Sequence, residues 1–588
     1  MRRPSPNLTH KFVRYTFRSI IFALSATLLI ACGGGGGNTN TGGSSNNGGG
    51  NTPPPAVSVS VSPTSASVEI GATQQFAANV SNATNTAVSW QVNGTAGGNA
   101  TVGTISANGL YTAPSAVPSP AQVTIAAVSQ ADTSKSGSAS VTVQLHFTTQ
   151  TLSGQYVFAM GGYDGTTTFK ATGIFTADGN GNITTGIEDL INGTTVASAI
   201  PFSGTYTIDQ NGVGTATIVT TNETTILAFA MESDKKTGDF IEHDTNANAS
   251  GFFTKQDTSV SSSITGTYVF LVDGNENNLG PASIVGSITA DGRGSLTGTE
   301  DLNEAGTFSP GVTFSGTYSL QPNGRGTASL TNAASVSSSF FLYVVDSNRV
   351  LFMESDGSTN FTGAARKQQG TFANASINGG YALEMSGPTT QSFVSSIGRF
   401  AADGAGGISG TLDSVNGVTP VPAQPFTGTY SVAANGRGTT TVTTSAGTST
   451  IVFWMVDNTR IYLLFEDNDR VEDGVIRQQS GGPYSLASVS GSYVFGAEGV
   501  SNTGLFDVLG RLVADGKGNF SLSEQTNDTR TPGQFSSTGT YTLDSTGRGV
   551  VTVNGISGPL AVDLISPSEA YVQEMDATGT FGVVVKQF

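Results

Sequence analysis

A short motif, Asp-Gly-x-Gly, returns four times in this chain. It begins at Asp178-Gly179, Asp291-Gly292, Asp403-Gly404 and Asp515-Gly516, evenly spaced to within one position. Two further landmarks keep that period. Gly-Thr-Tyr ends at Tyr206, Tyr318, Tyr430 and Tyr541, and a Gly-x-Tyr opens each unit at Tyr156, Tyr268, Tyr381 and Tyr493. Residues from about 150 onward are therefore four copies of one module, bounded near 150–258, 262–370, 375–480 and 487–588. A chain of 588 residues is too long for a single core. Each copy, at roughly a hundred residues, is long enough to bury its own.

Within a copy the hydrophobic period is two. Tyr156, Phe158 and Met160 share one strand face, Val157 and Ala159 the other. The third copy puts Glu384 on that second face and the fourth Glu498, so the tyrosine face is the buried one. The next strand repeats the logic: Phe175, Ile288, Phe400 and Leu512 occupy one position and Ala177, Ala290, Ala402 and Ala514 follow two residues later. The opposite face accepts Arg399 and Arg511. Asp-Gly then makes a tight hairpin. Eight strands are expected in the first copy, near 154–162, 167–177, 182–190, 195–208, 214–220, 224–231, 238–243 and 250–256. No stretch keeps a helical period. The class is all-β, and consecutive hairpins make an up-and-down meander. Eight such strands can close into a barrel, which removes the exposed edges. A two-sheet sandwich is the alternative.

Each copy ends with a basic residue followed by glutamine: Lys255-Gln256, Lys367-Gln368, Arg477-Gln478 and Lys586-Gln587. The first-strand tyrosines Tyr156, Tyr268, Tyr381 and Tyr493, matched with these last-strand cations, resemble the calycin superfamily of lipocalins, fatty-acid-binding proteins and avidins. There a Gly-x-Trp and a cation meet where the barrel closes; here tyrosine stands in place of tryptophan. The resemblance implies closed barrels and allows a small apolar ligand inside each. The many inward aromatics and short strands point instead to a filled interior.

Ahead of the repeats the texture changes. Residues 1–31 hold five basic side chains and no acid, and Ile20 to Ile30 is an apolar run too short for a permanent span. This is the layout of a secretory signal. Leu29-Ile30-Ala31-Cys32-Gly33 resembles the lipobox of bacterial lipoproteins. That resemblance implies acylation of Cys32, with palmitate-type chains, as the first residue of the mature protein. Gly33 is not the aspartate that commonly retains such proteins in the inner membrane, which implies the outer membrane or cell surface. Residues 32–55, rich in Gly, Asn, Ser and Pro, read as a flexible tether of about 25 Å r.m.s. span. From 56 to 145 short alternating strands indicate a β-sandwich, with Trp90 as its core aromatic. The stretch from Gly103 to Pro114 resembles bacterial immunoglobulin-like domains of cell-surface proteins, which act as spacers or adhesive modules.

The formal charge is −17, and removing residues 1–31 leaves 20 basic against 42 acidic side chains. Such a field repels nucleic acid. Cys32 is the single cysteine, so no intramolecular disulfide is available. Asp178-Gly179-Asn180-Gly181-Asn182 has the alternating oxygens of a calcium loop. The other copies replace Asn180 by Arg293, Ala405 and Lys517, so hairpin turns are expected and no metal. Glu242, Glu354, Glu466 and Glu574 mark a recurring acidic position, read as solubilising edge charge. Only His146 and His243 follow the signal segment, neither in a metal-spaced pair, and no hydrolase motif occurs. Trp454 reads as a core residue. The expected function is non-catalytic: a lipid-anchored, monomeric envelope protein, without cofactor, that adheres to polysaccharide or another envelope component through repeated modules. The alternative is small apolar ligand binding inside the barrels. A secreted hydrolase has least support.

Overall fold

The computed structural model describes residues 55–588 apart from 119, 166, 258, 260–262, 277–279, 358, 390–391, 502–503, 557, 577–579 and 588. The signal segment, Cys32 and almost all of the tether lie outside the described residues.

Four antiparallel eight-stranded barrels follow one another along the chain, spanning 153–255, 265–367, 378–478 and 490–586. In the first, the strands are Ser153–Asp164, Thr167–Asp178, Asn182–Asn192, Thr195–Ile208, Val213–Val219, Thr224–Met231, Thr237–Glu242 and Asn248–Lys255. Each strand pairs with the next, and the first pairs with the eighth from Tyr156↔Lys255 to Tyr163↔Asn248. The period-two pattern explains why: inward positions carry rings and small residues that interdigitate. Gly186, Gly298 and Gly410 sit directly opposite Phe202, Phe314 and Phe426, whose rings occupy the space a side chain would need. The fourth barrel exchanges the pair for Leu522 and Ser537, moving the bulk to the other strand.

One end of each barrel is plugged. A single 3-10 turn (Thr149–Thr151, Asn374–Ser376 and Leu486–Ser488 in barrels one, three and four) precedes the first strand. The tyrosine of Gly-Thr-Tyr fastens it from inside: Tyr206 donates to Leu152 O at 2.6 Å, Tyr430 to Ile377 O at 2.7 Å and Tyr541 to Val489 O at 2.6 Å. Tyr318 does the same to Ile264 O in the second barrel. The other end, with the hairpins after the first, third, fifth and seventh strands, is the mouth.

The barrels form a closed ring. The outer faces of the first three strands of one barrel pack on the sixth and seventh strands of the next. Val157, Ile174 and Ile191 thus meet Tyr343, Leu351 and Met353. At the last junction Val494 and Leu509 meet Ala228, Ala230 and Ile241 of the first barrel. The terminal glutamine of each barrel hooks a carbonyl of its neighbour. Gln256 donates to Val344 O (2.6 Å), Gln368 to Met455 O (2.8 Å), Gln479 to Leu564 O (2.6 Å) and Gln587 to Met231 O (3.0 Å). A repeated head-to-tail contact that closes makes a cyclic ring, and mouth-end residues meet mouth-end residues across it, Asn303 donating to Arg470 O and Asn527 to Ala247 O, so the mouths open on the same side.

Three junctions share a buried ion pair. Asp189, Asp301 and Asp413 sit at bulges in the third strand, and each accepts one backbone N–H of the adjacent fourth strand, from Ala199, Gly311 and Ala423. Each then takes a fork of bonds from the arginine of the next barrel, Arg325, Arg437 or Arg548, at 2.6–3.2 Å. At the closing junction the equivalent residues are Gln525 and Val213, and the bulge is gone.

Before the barrels lie three small sheets of two, five and four strands within 58–144, the five-stranded one containing a parallel pair, Ser65–Glu69 with Ser136–Gln144. Phe76, Trp90, Tyr111, Ile125 and Val141 form their common core. Leu145 and Phe147 then enter the core of the first barrel.

Candidate functional site

The seam between first and eighth strands holds the tyrosines and the lysines that the sequence pairs. Lys255 lies over the ring of Tyr156 (5.9 Å to its centroid), Lys367 over Tyr268 (6.0 Å) and Lys586 over Tyr493 (5.8 Å). A cation over an aromatic face contributes ~0.5–2 kcal/mol. The third barrel corrects the pattern. Tyr381 is in register with Gln478, not with Arg477. In this barrel Gln478 takes the place that lysine holds in the others, so the hook is Gln479 and every assignment moves by one residue. A shift of one turns a strand residue to the other face, and Arg477 points outward, where it grips Glu569 of the fourth barrel through two 2.9 Å bonds.

The Asp-Gly steps are hairpin turns closed on themselves. One carboxylate oxygen of Asp178, Asp291, Asp403 and Asp515 accepts backbone N–H groups two and four residues on, at 2.7–3.0 Å. Gly179, Gly292, Gly404 and Gly516 all take positive φ, in the left-handed region that glycine adopts without strain. These bonds hold all four carboxyls below the usual range, Asp515 at about 2. No His/Cys/Asp/Glu group suited to a metal ion occurs among the described residues. His146 Nδ1 lies 3.2 Å from Glu69, and His243 Nε2 lies 3.2 Å from Gly533 O at the closing junction. Trp454 is fully buried, but between barrels, where its Nε1 donates to Asp301 at 2.7 Å.

The recurring acids are not edge charges. Glu242 and Glu354 are 3% and 2% exposed and face into their barrels, as does Glu574. Glu466 is one residue out of register, and Phe465 holds the equivalent place in the third barrel. A second inward position, on the third strand, carries Glu188, Glu300 and Glu524, with Leu412 in the third barrel. Burial pushes Glu188 and Glu300 up to about 7, and Glu242 and Glu354 up to about 8, the latter two also feeling Asp244 and Asp356. Sequence reasoning passed over this second set; its recurrence at the module period on the tyrosine-side face was the signal.

The third barrel, lacking both inward acids, is hollow. Its cavity of about 1110 Å³ runs from Tyr430 and Phe453 up past Leu412 and Phe465 to a polar mouth of Asn416, Gln424, Asp469 and the buried Glu472, which pairs with Arg470. In its wall Thr440 Oγ1 is buried without a hydrogen-bond partner, where the other barrels have Ala216, Ala328 and Val551. The first and fourth barrels hold smaller cavities, about 220 Å³ and 330 Å³. In the second, Phe270, Phe314, Phe340 and Phe352 pack edge to face across the interior. The expectation of uniformly filled barrels therefore fails for the third, where Ser414 stands at the position that Leu190 and Leu302 fill in the first two.

No protein-family model matches the chain, and no curated protein matches it. Among solved structures, the crystal structure of CghA is 9% identical, covering 74% of this chain and 88% of that one, with a TM-score of 0.11. The FrpB iron transporter from Neisseria meningitidis (F3-3 variant) is 8% identical, covering 79% and 87%, with a TM-score of 0.10. Likeness at this level carries no inference about function.

Proposed function

We propose that this chain is a non-catalytic binding protein of the cell envelope whose third barrel encloses a small molecule with an apolar body and a hydrogen-bonding group. The observation that carries the reading is the cavity of about 1110 Å³, larger than the ~300–1,000 Å³ of ordinary ligand pockets, with an unpartnered Thr440 hydroxyl in its wall. An apolar ligand gains by leaving water, and the orphaned hydroxyl selects one that can donate to or accept from it. The segment ahead of the barrels supports a reading of delivery to a surface: its sequence resembles a lipobox ending at Cys32 followed by a tether, and the small sheets around Trp90 and Tyr111 would serve as a spacer. The test uses the neutral fluorophore N-phenyl-1-naphthylamine. One dominant site per chain is expected, lost when Ser414→Trp fills the cavity, with an unchanged melting curve as the control for folding. Equal binding by that variant would overturn the reading.

A second reading, adhesion to polysaccharide or another envelope component, is favoured by the ring itself, which turns four mouths to one side. Multivalent attachment gains affinity without new contacts. Its test is a glycan array, where binding to one polymer that survives Ser414→Trp would identify the rim rather than the cavity.

A further inference from the structure

Near the ring axis, the seventh strand of one barrel approaches the eighth strand of the barrel before it, as Arg349 does at Phe252 and Glu569 at Arg477. At the junction of barrels three and four this contact is the Arg477–Glu569 pair, two bonds of 2.9 Å. The equivalent residues between barrels two and three are Arg366 and Arg460: Arg349↔Arg366, Arg460↔Arg477 and Glu569↔Val585 are register partners in successive barrels. Where one junction sets arginine against glutamate, the other sets arginine against arginine. Arg349 joins them. Its guanidinium stacks 4.7 Å from the ring centroid of Phe252 in the first barrel, and its Nε is buried with no hydrogen-bond partner.

Like charges opposite one another on adjacent strands are destabilising, and this chain has far more acids than bases to draw on. Carboxylates do face the same region: Glu232, Glu384, Asp346 and Glu569. Of these, among the described residues, Glu569 alone forms an ion pair with an arginine, and that arginine is Arg477, outside the trio. Burial pushes Glu384 up to about 7 and Glu232 up to about 8, which weakens them as counter-charges at neutral pH. Burial and the neighbouring Arg366 push Arg349 down to about 10, the response of a cation short of an anion. Among the described residues, Arg349, Arg366 and Arg460 make no ion pair with any carboxylate, yet all three stay partly open to solvent.

We propose that Arg349, Arg366 and Arg460 bind a small multivalent oxyanion, of phosphate type, at the ring axis. Guanidinium forks match the oxygens of such groups in pairs. The site is recessed between barrels, so a free ion reaches it and a bilayer surface does not. It is separate from the cavity of the third barrel and does not depend on what fills that cavity.

The experiment is titration calorimetry of the full-length chain with inorganic pyrophosphate, at constant ionic strength balanced with chloride, beside thermal unfolding. One saturable site is expected, with a pyrophosphate-dependent rise in Tm. Arg460→Glu recreates the arginine–glutamate pair of the next junction. It should weaken pyrophosphate binding at least tenfold while leaving the melting temperature without ligand unchanged or higher. Arg366→Gln, which adds no charge, should weaken binding to a similar degree and serves as the second variant if the first misfolds. The proposal is overturned by the absence of saturable pyrophosphate binding to the wild-type chain, or by affinities in both variants equal to wild type.

Discussion

Asp189, Asp301 and Asp413 are fully buried, and each does two tasks at once: it caps a bulge in its own barrel and receives an arginine from the next. Removing one partner of such a pair leaves the other charge buried alone. Asp301→Ala, which also strips the acceptor from Trp454, should therefore cost roughly 3–5 kcal/mol, read as a lower urea midpoint. The inward acids predict a pH dependence of the opposite sign to the usual carboxylate. Glu242 and Glu354, pushed up to about 8, bind protons more tightly folded than unfolded. Their contribution is complete below the unfolded value and disappears as pH rises through the folded one. The hairpin aspartates work the other way and lose their contribution only on strong acidification. The chain should melt at a higher temperature at pH 5.5 than at pH 8, and Glu242→Gln with Glu354→Gln should flatten that difference; a Tm that rises from pH 5.5 to 8 would contradict the assignment.

At the scale of the element, a strand is decided by what its neighbour leaves room for. A β-carbon on Gly298 would lie 2.2 Å from the Phe314 ring, with backbone close on the other side. Gly298→Ala should cost about 1–3 kcal/mol by overpacking, measured by thermal unfolding, and Phe314→Leu in the same chain should recover part of it. The strands and the barrel class were legible in the sequence because inward rings and small residues alternate strictly, and because four copies repeat that alternation. The outer face was not legible. Asp189 falls on the side that alternation assigns to solvent, yet it is wholly buried by another barrel. Arg477 and Glu466 each sit one residue away from the place their motif suggests, since a basic-Gln pair and an acid near a strand end look alike whichever way they face. The plug was invisible because its 3-10 turns carry no periodic signal; only the tyrosine that fastens it recurs.

For the whole molecule, the ring explains a departure from the repeat that no barrel explains alone. Three junctions carry Asp–Arg; the fourth carries Gln525 and Val213, while its Asn527 reaches the carbonyls of Glu242 and Ala247 at 2.9 Å just as Asn303 reaches those of Phe465 and Arg470 at the second junction. A buried charge pair that recurs at three junctions and is replaced at the fourth, where the Arg530–Asp164 pair is exposed, tells the barrels apart. Installing Gln525→Asp with Val213→Arg should leave the chain folded but make the closing junction interchangeable with the others, visible as a new dimer fraction in sedimentation. The glutamine hooks and packed faces have a further consequence. A head-to-tail contact is, in isolation, an instruction to polymerise; here the covalent chain feeds it back to its own beginning after four steps, and every adhesive end is consumed. The count of barrels is thus a constant of the geometry. A chain lacking residues 262–370 would make an arc with a donor face at one tip and an acceptor face at the other. Light scattering should show it assembling into chains of molecules where the intact protein does not.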